Sequence, residues 1–150
     1  MIRPLPVSIL LSACLILLLN TTSVHAQSAS IAIGSGGGTP GQTFTVSVDM
    51  TNDVDVAGFQ FDLIDTLNAV DVDTIIANSR ISGFTLSFNR LGEIRTRVLV
   101  FTFSPSTISP GSGSVANITF RIRDDAYSGT HPLKLTSVVL SDTSRFTNAI

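Results

Sequence analysis

The sequence predicts an all-β sandwich, and three observations carry that reading. Beyond Gln27, apolar and polar residues alternate with period two in one run after another. No segment there keeps apolar residues at the 3.6 spacing of an amphipathic helix for more than two turns. Clusters of Gly, Pro, Asn, Asp and Ser interrupt the runs every 12 residues or so, roughly the rhythm of a sandwich and too short for strands joined by crossover helices.

Taken in order, the first element is not structural. Arg3 precedes an apolar stretch from Leu5 to Leu19, followed by polar Asn20 to Ser23 and then Val24-His25-Ala26. Residues 1–26 therefore read as a signal peptide cleaved after Ala26, leaving 27–150 as the exported domain, with no membrane span of its own. Leu11-Ser12-Ala13-Cys14 has the form of a lipobox, but Leu15 to Leu19 continue the apolar region past it, so cleavage at Ala26 is the preferred reading.

Eight strands are expected, near 28–33, 43–50, 57–64, 69–76, 84–90, 93–103, 114–123 and 132–141. Phe44, Val46, Val48 and Met50 alternate with Thr43, Thr45, Ser47 and Asp49, and Phe59, Phe61 and Leu63 alternate with Gly58, Gln60 and Asp62. Phe84, Leu86 and Phe88 do the same, as do Ala116, Ile118, Phe120 and Ile122. Each such strand has one face for a core and one for water. The run 93–103 is apolar on both faces in its second half, which predicts an interior strand. Most of the nine Phe are expected in the core.

Composition narrows the function. The 150 residues carry nine Lys and Arg against eleven Asp and Glu, a net charge of -2, without the basic field that nucleic acid requires. One Cys and two His leave no disulfide framework and no Cys/His zinc site. His131 is the one His of the exported part, and it sits in a turn with no Gly-x-Ser-x-Gly nucleophile elbow anywhere in the chain. Glu93 is the only Glu. Asp49, Asp53 and Asp55 flank a turn and Asp71 and Asp73 lie on one strand, but their spacing is not that of an EF-hand; they read as solvated acids, so no metal, cofactor or catalytic residue is assigned. The chain is expected to be no enzyme.

Four pieces in order then become specific: Thr39-Pro40-Gly41-Gln42 leading into Thr43 to Val48, Val56-Ala57-Gly58-Phe59-Gln60-Phe61-Asp62-Leu63, Gly111-Ser112-Gly113 leading into Ser114 to Phe120, and Ala126-Tyr127-Ser128-Gly129-Thr130 before Leu133. Over about 30–143 the chain resembles the cohesin family. The resemblance implies a nine-stranded jelly-roll sandwich, related to the fold of some carbohydrate-binding modules, that acts as a non-catalytic receptor. Its partner in that family is the dockerin, a small calcium-loaded module, and the pairing assembles polysaccharide-degrading enzymes. The family's third strand offers an Asn and an Asp to the dockerin; Gly58 and Gln60 stand at those places here. The family also closes with a further strand, for which Asp142 to Ile150 remain, so the chain reads as ending within an incomplete ninth strand.

The expected partner-binding residues are Gly58, Gln60 and Asp62 on the third strand and Arg95 and Arg97 on the sixth. Arg supplies planar, bidentate donors for carboxylates at an interface, and a single basic face of Arg95, Arg97, Arg121 and Arg123 is expected to meet an acidic partner. The alternative is a carbohydrate-binding module of the same architecture. With no Trp and with Tyr127 the one Tyr, a flat aromatic strip for a polysaccharide surface cannot be built, leaving loop groups to hold a short glycan.

Overall fold

Alternation along the chain becomes nine strands in two antiparallel sheets. The computed structural model describes residues 28–141 and 146–147. The strands are β1 (Ala29–Ile33), β2 (Thr43–Asn52), β3 (Gly58–Asp65), β4 (Val70–Ala77), β5 (Thr85–Arg90), β6 (Arg95–Phe101), β7 (Gly111–Ile122), β8 (Leu133–Ser141) and β9 (Phe146–Thr147), with one 3-10 turn over Ser79–Ile81. One sheet has the order β1-β2-β7-β4 and the other β5-β6-β3-β8-β9. The segment read as a signal peptide and most of the chain after Ser141 lie outside the described residues.

The inward residues named by the alternation meet between the sheets. Val46, Val48, Met50, Ile118 and Phe120 from one sheet pack against Phe59, Phe61, Leu63, Val98 and Val100 from the other. Phe61 and Phe120 are at most 1% exposed, and burying such a side chain stabilises the fold by about 2–3 kcal/mol. The ring of Phe44 stacks on that of Phe120 at 5.4 Å.

The aromatic expectation holds for Phe44, Phe59, Phe61, Phe84 and Phe120, which lie in or against this core, and fails along β5 and the end of β6. Phe59, Phe61 and Phe120 are buried, but Phe88 is 39% and Phe103 is 95% exposed. Phe88 stands on β5, an edge strand, where the inward side of the sheet opens to solvent. Phe101 and Phe103 belong to the outward side of β6 and the chain just beyond it; their rings meet edge to face at 5.3 Å.

β6 is an interior strand, as its sequence predicts, with β5 on one side and β3 on the other. It is shorter than 93–103, because Leu91 N donates to Arg95 O at 2.8 Å and closes the hairpin from β5. β7 begins earlier than expected. Gly111 and Gly113 have φ of 148° and 152°, a conformation open to glycine, and they continue the ladder opposite Asn52 and Met50.

The proposed four-arginine face does not form. Arg95 and Arg97 lie on β6 in the five-stranded sheet, whereas Arg121 is the last residue but one of β7 in the four-stranded sheet and Arg123 follows its end. The core separates the pairs. Arg123 instead bridges Asp71 at 3.7 Å and Asp125 at 3.2 Å, and Arg90 from β5 reaches across to the same Asp71 on β4. Asp71 thus ties the two sheets along one open side.

Candidate functional site

The outward side of the five-stranded sheet is built in rows by the pairing registers. Asn89, Arg97, Asp62 and Thr136 lie across from one another, and Ser87, Leu99, Gln60 and Val139 form the next row; beyond it Thr85 pairs with Phe101 and Gly58 with Ser141, a Cβ at Gly58 standing 3.6 Å from Phe101 Cα. Arg95 and Lys134 flank Ile64 beyond the first row. The face is basic at one end and apolar at the other. Leu99 is 39% exposed, and Phe103 projects past the apolar end.

All five residues singled out from the sequence fall on β3 and β6, which pair directly. Their exposure differs. Arg95 is exposed, Gln60 and Arg97 are half-buried, and Gly58 and Asp62 are buried. A Cβ at Gly58 would stand 2.7 Å from the Val100 carbonyl oxygen, so a glycine is what allows β3 and β6 to approach there.

Asp62 points outward yet has no exposed surface. Arg97 lies over it, Nε donating to Oδ1 at 2.7 Å and Nη2 to Oδ2 at 3.0 Å, with Arg95 Nη1 at 4.0 Å from Oδ2. The hydrogen bonds from Arg97 hold the Asp62 carboxyl below its ordinary value against the opposing effect of burial, and the charges of Arg97 and Arg95 and the Ser137 hydroxyl assist. The same pair raises Arg97. Ser137 comes within reach through a bulge: the β3–β8 register shifts between Gln60 and Asp62, and Ser137 adopts φ 51°.

One buried negative charge is therefore spent internally, and Arg95, Arg97 and Lys134 leave the end of the face positive. The signals missed in the sequence are Leu99, Phe101, Lys134 and Val139. The first two were legible as the two-sided apolar half of β6; the last two required knowing that β8 lies beside β3.

Among the described residues no group of three or more His, Cys, Asp or Glu is placed to hold a metal ion. No helix among them is long and apolar enough to cross a membrane. What the sheet offers is a broad outward surface on a two-sheet sandwich, basic at one end and apolar at the other.

The chain belongs to the cohesin family: the Cohesin domain model matches residues 29–148. Cohesin domains are non-catalytic binding modules. Among solved structures, the chain is similar to the cohesin CaCohA2 of Clostridium acetobutylicum, at 21% identity over 81% of this chain and 83% of that one, with a TM-score of 0.63. It is similar to the OlpA cohesin of Clostridium thermocellum, solved with the dockerin Doc918, at 20% identity over 77% and 87%, with a TM-score of 0.63. A non-cellulosomal cohesin of the archaeon Archaeoglobus fulgidus matches at 22% over 77% and 78%, with a TM-score of 0.64. These likenesses establish the fold alone. A comparison with curated proteins finds no significant match.

Proposed function

We propose that this protein is an exported receptor that docks a dockerin-type module on the outward face of β5, β6, β3 and β8, in an extracellular assembly concerned with polysaccharide breakdown. The observation that carries the reading is the division of that face into a basic end and an apolar end around a carboxylate that Arg97 covers. A fitting partner places carboxylates over Arg95 and Arg97 and aliphatic side chains over Leu99, Phe101 and Phe103. Gln60 contributes a neutral hydrogen-bonding group between the two halves. Gly58 and Asp62 act from beneath: Gly58 keeps the strands close, and Asp62 aims Arg97. The structures solved with dockerins support the class of partner, and the apolar N-terminus supports export.

Surface-immobilised dockerin modules from the same source test this directly. Arg95→Glu is expected to slow association at least tenfold and to steepen its dependence on salt, because steering by an exposed charge acts on the on-rate. Leu99→Asp is expected to speed dissociation. Unchanged kinetics in both variants would exclude this face. Mass measurement of the exported protein checks the cleavage after Ala26.

A further inference from the structure

At one end of the sandwich the two sheets part. The connection after β1 and the loop before β8 enclose a cleft of about 560 Å³, within the size range of small-molecule sites. Its floor is apolar, formed by Phe44, Val46, Ile122 and Leu133. One wall is the run Gly34 to Pro40 and the other the run Ala126 to Pro132. It shares no residue with the proposed docking face.

Among the described residues, the cleft lining contains no Asp, Glu, Lys or Arg, although Arg123, Asp124 and Asp125 immediately precede one wall in sequence. The walls carry the hydroxyls of Ser35, Thr39, Ser128 and Thr130. Tyr127, 87% exposed, lines the same wall. His131 Nε2 donates to the Tyr127 carbonyl oxygen at 2.6 Å, while its Nδ1 is buried without a partner among the described residues, an unusual state for a buried polar atom. The three consecutive glycines Gly36, Gly37 and Gly38 bring bare backbone to the opposite wall.

We propose that this cleft binds a short neutral oligosaccharide. A charged ligand finds no counter-ion in it. A wholly apolar ligand would leave the wall hydroxyls and glycine backbone groups without partners, at a desolvation cost. A sugar presents both surfaces the cleft requires: a C–H face for Tyr127 and the apolar floor, and hydroxyls for the walls.

Calorimetric titration of the full chain with uncharged trisaccharides (cellotriose, xylotriose, mannotriose and maltotriose) tests the proposal. Saturable binding of at least one is expected, weakened about tenfold by Tyr127→Ala. Gly38→Leu is expected to abolish it; a Cβ at Gly38 stands 3.3 Å from Ile122 Cδ1 of the floor and 3.1 Å from Gln42 Oε1, both ends of flexible side chains, so the variant folds while its side chain occupies the cleft. Arg95→Glu should leave the affinity unchanged, so failure here and failure of the docking reading are separable. Absence of binding to all four sugars at about 10 mM, or binding indifferent to both cleft variants, overturns the proposal. So does uptake of the neutral dye N-phenyl-1-naphthylamine that no sugar displaces, which would assign the cleft to an apolar ligand.

Discussion

Arg97 on β6 closes over Asp62 on β3 with two hydrogen bonds, 2.7 and 3.0 Å, across directly paired residues. The pair converts what a strand pattern presents as an outward acid into a covered one. It also fixes the guanidinium over β3 with the side chain 41% exposed and with Nη1 left out of both hydrogen bonds to the carboxylate.

Removing one member should harm the fold more than removing both. Arg97→Met leaves a buried carboxylate with the Ser137 hydroxyl and, at 4.0 Å, the cation of Arg95, and should lower the midpoint of urea unfolding. Arg97→Met with Asp62→Leu should recover much of that loss, since two apolar groups leave no orphaned charge. A double-mutant cycle with no coupling energy would show the pair to be energetically idle.

The same carboxylate makes stability depend on pH with a definite sign. Asp62 titrates below its ordinary value of 3.8 in the folded state, so the unfolded chain binds the proton first as pH falls. Its contribution is complete well above 3.8, and it disappears as pH descends from there through the lowered folded value. Urea titrations between about pH 2.5 and 6 should show a shallower acid slope for Asp62→Asn than for the parent.

Gly58→Ala is expected to cost about 1–3 kcal/mol by overpacking, because its Cβ would meet the Val100 carbonyl at 2.7 Å. The added methyl cannot move away without parting β3 from β6. Dockerin affinity should fall with it, and the measurement is thermal unfolding alongside binding of the same preparation.

Arg80 secures the far end of the sandwich from the 3-10 turn. It donates to the Met50 carbonyl at 2.6 Å, to Asn52 Oδ1 at 2.6 Å and to the Ser109 carbonyl at 3.2 Å. Asn52 is 3% exposed, so Arg80→Ala leaves its amide oxygen unpaired, at about 1–3 kcal/mol. Arg80→Lys should recover little, since one ammonium cannot reproduce the fork. Chemical denaturation of the two variants distinguishes a planar donor from a mere charge.

The candidate site was partly legible in the chain. Gln60 and Arg97 fall on outward phases of strands whose inward phases are unmistakably apolar, and period two alone places them there. Arg121 and Arg123 obey the same local rule, yet they stand on the other side of the core. The rule says which way a side chain points from its own strand and nothing about which sheet that strand joins. Likewise, the glycines at 111 and 113 look like a turn from composition, and only their pairing with Asn52 and Met50 makes them strand.

The phase of each long strand, the core positions of Phe61 and Phe120, and the two-sided apolar run of β6 were determined by the sequence itself, because alternation is a property of neighbours in the chain. The tertiary structure decided that Arg97 covers Asp62, that Asp71 ties the two sheets, and that an uncharged cleft opens between residues 34–40 and 126–132. Those contacts join segments dozens of residues apart, and their partners are selected by how two sheets fold onto a shared core, a choice no local pattern encodes.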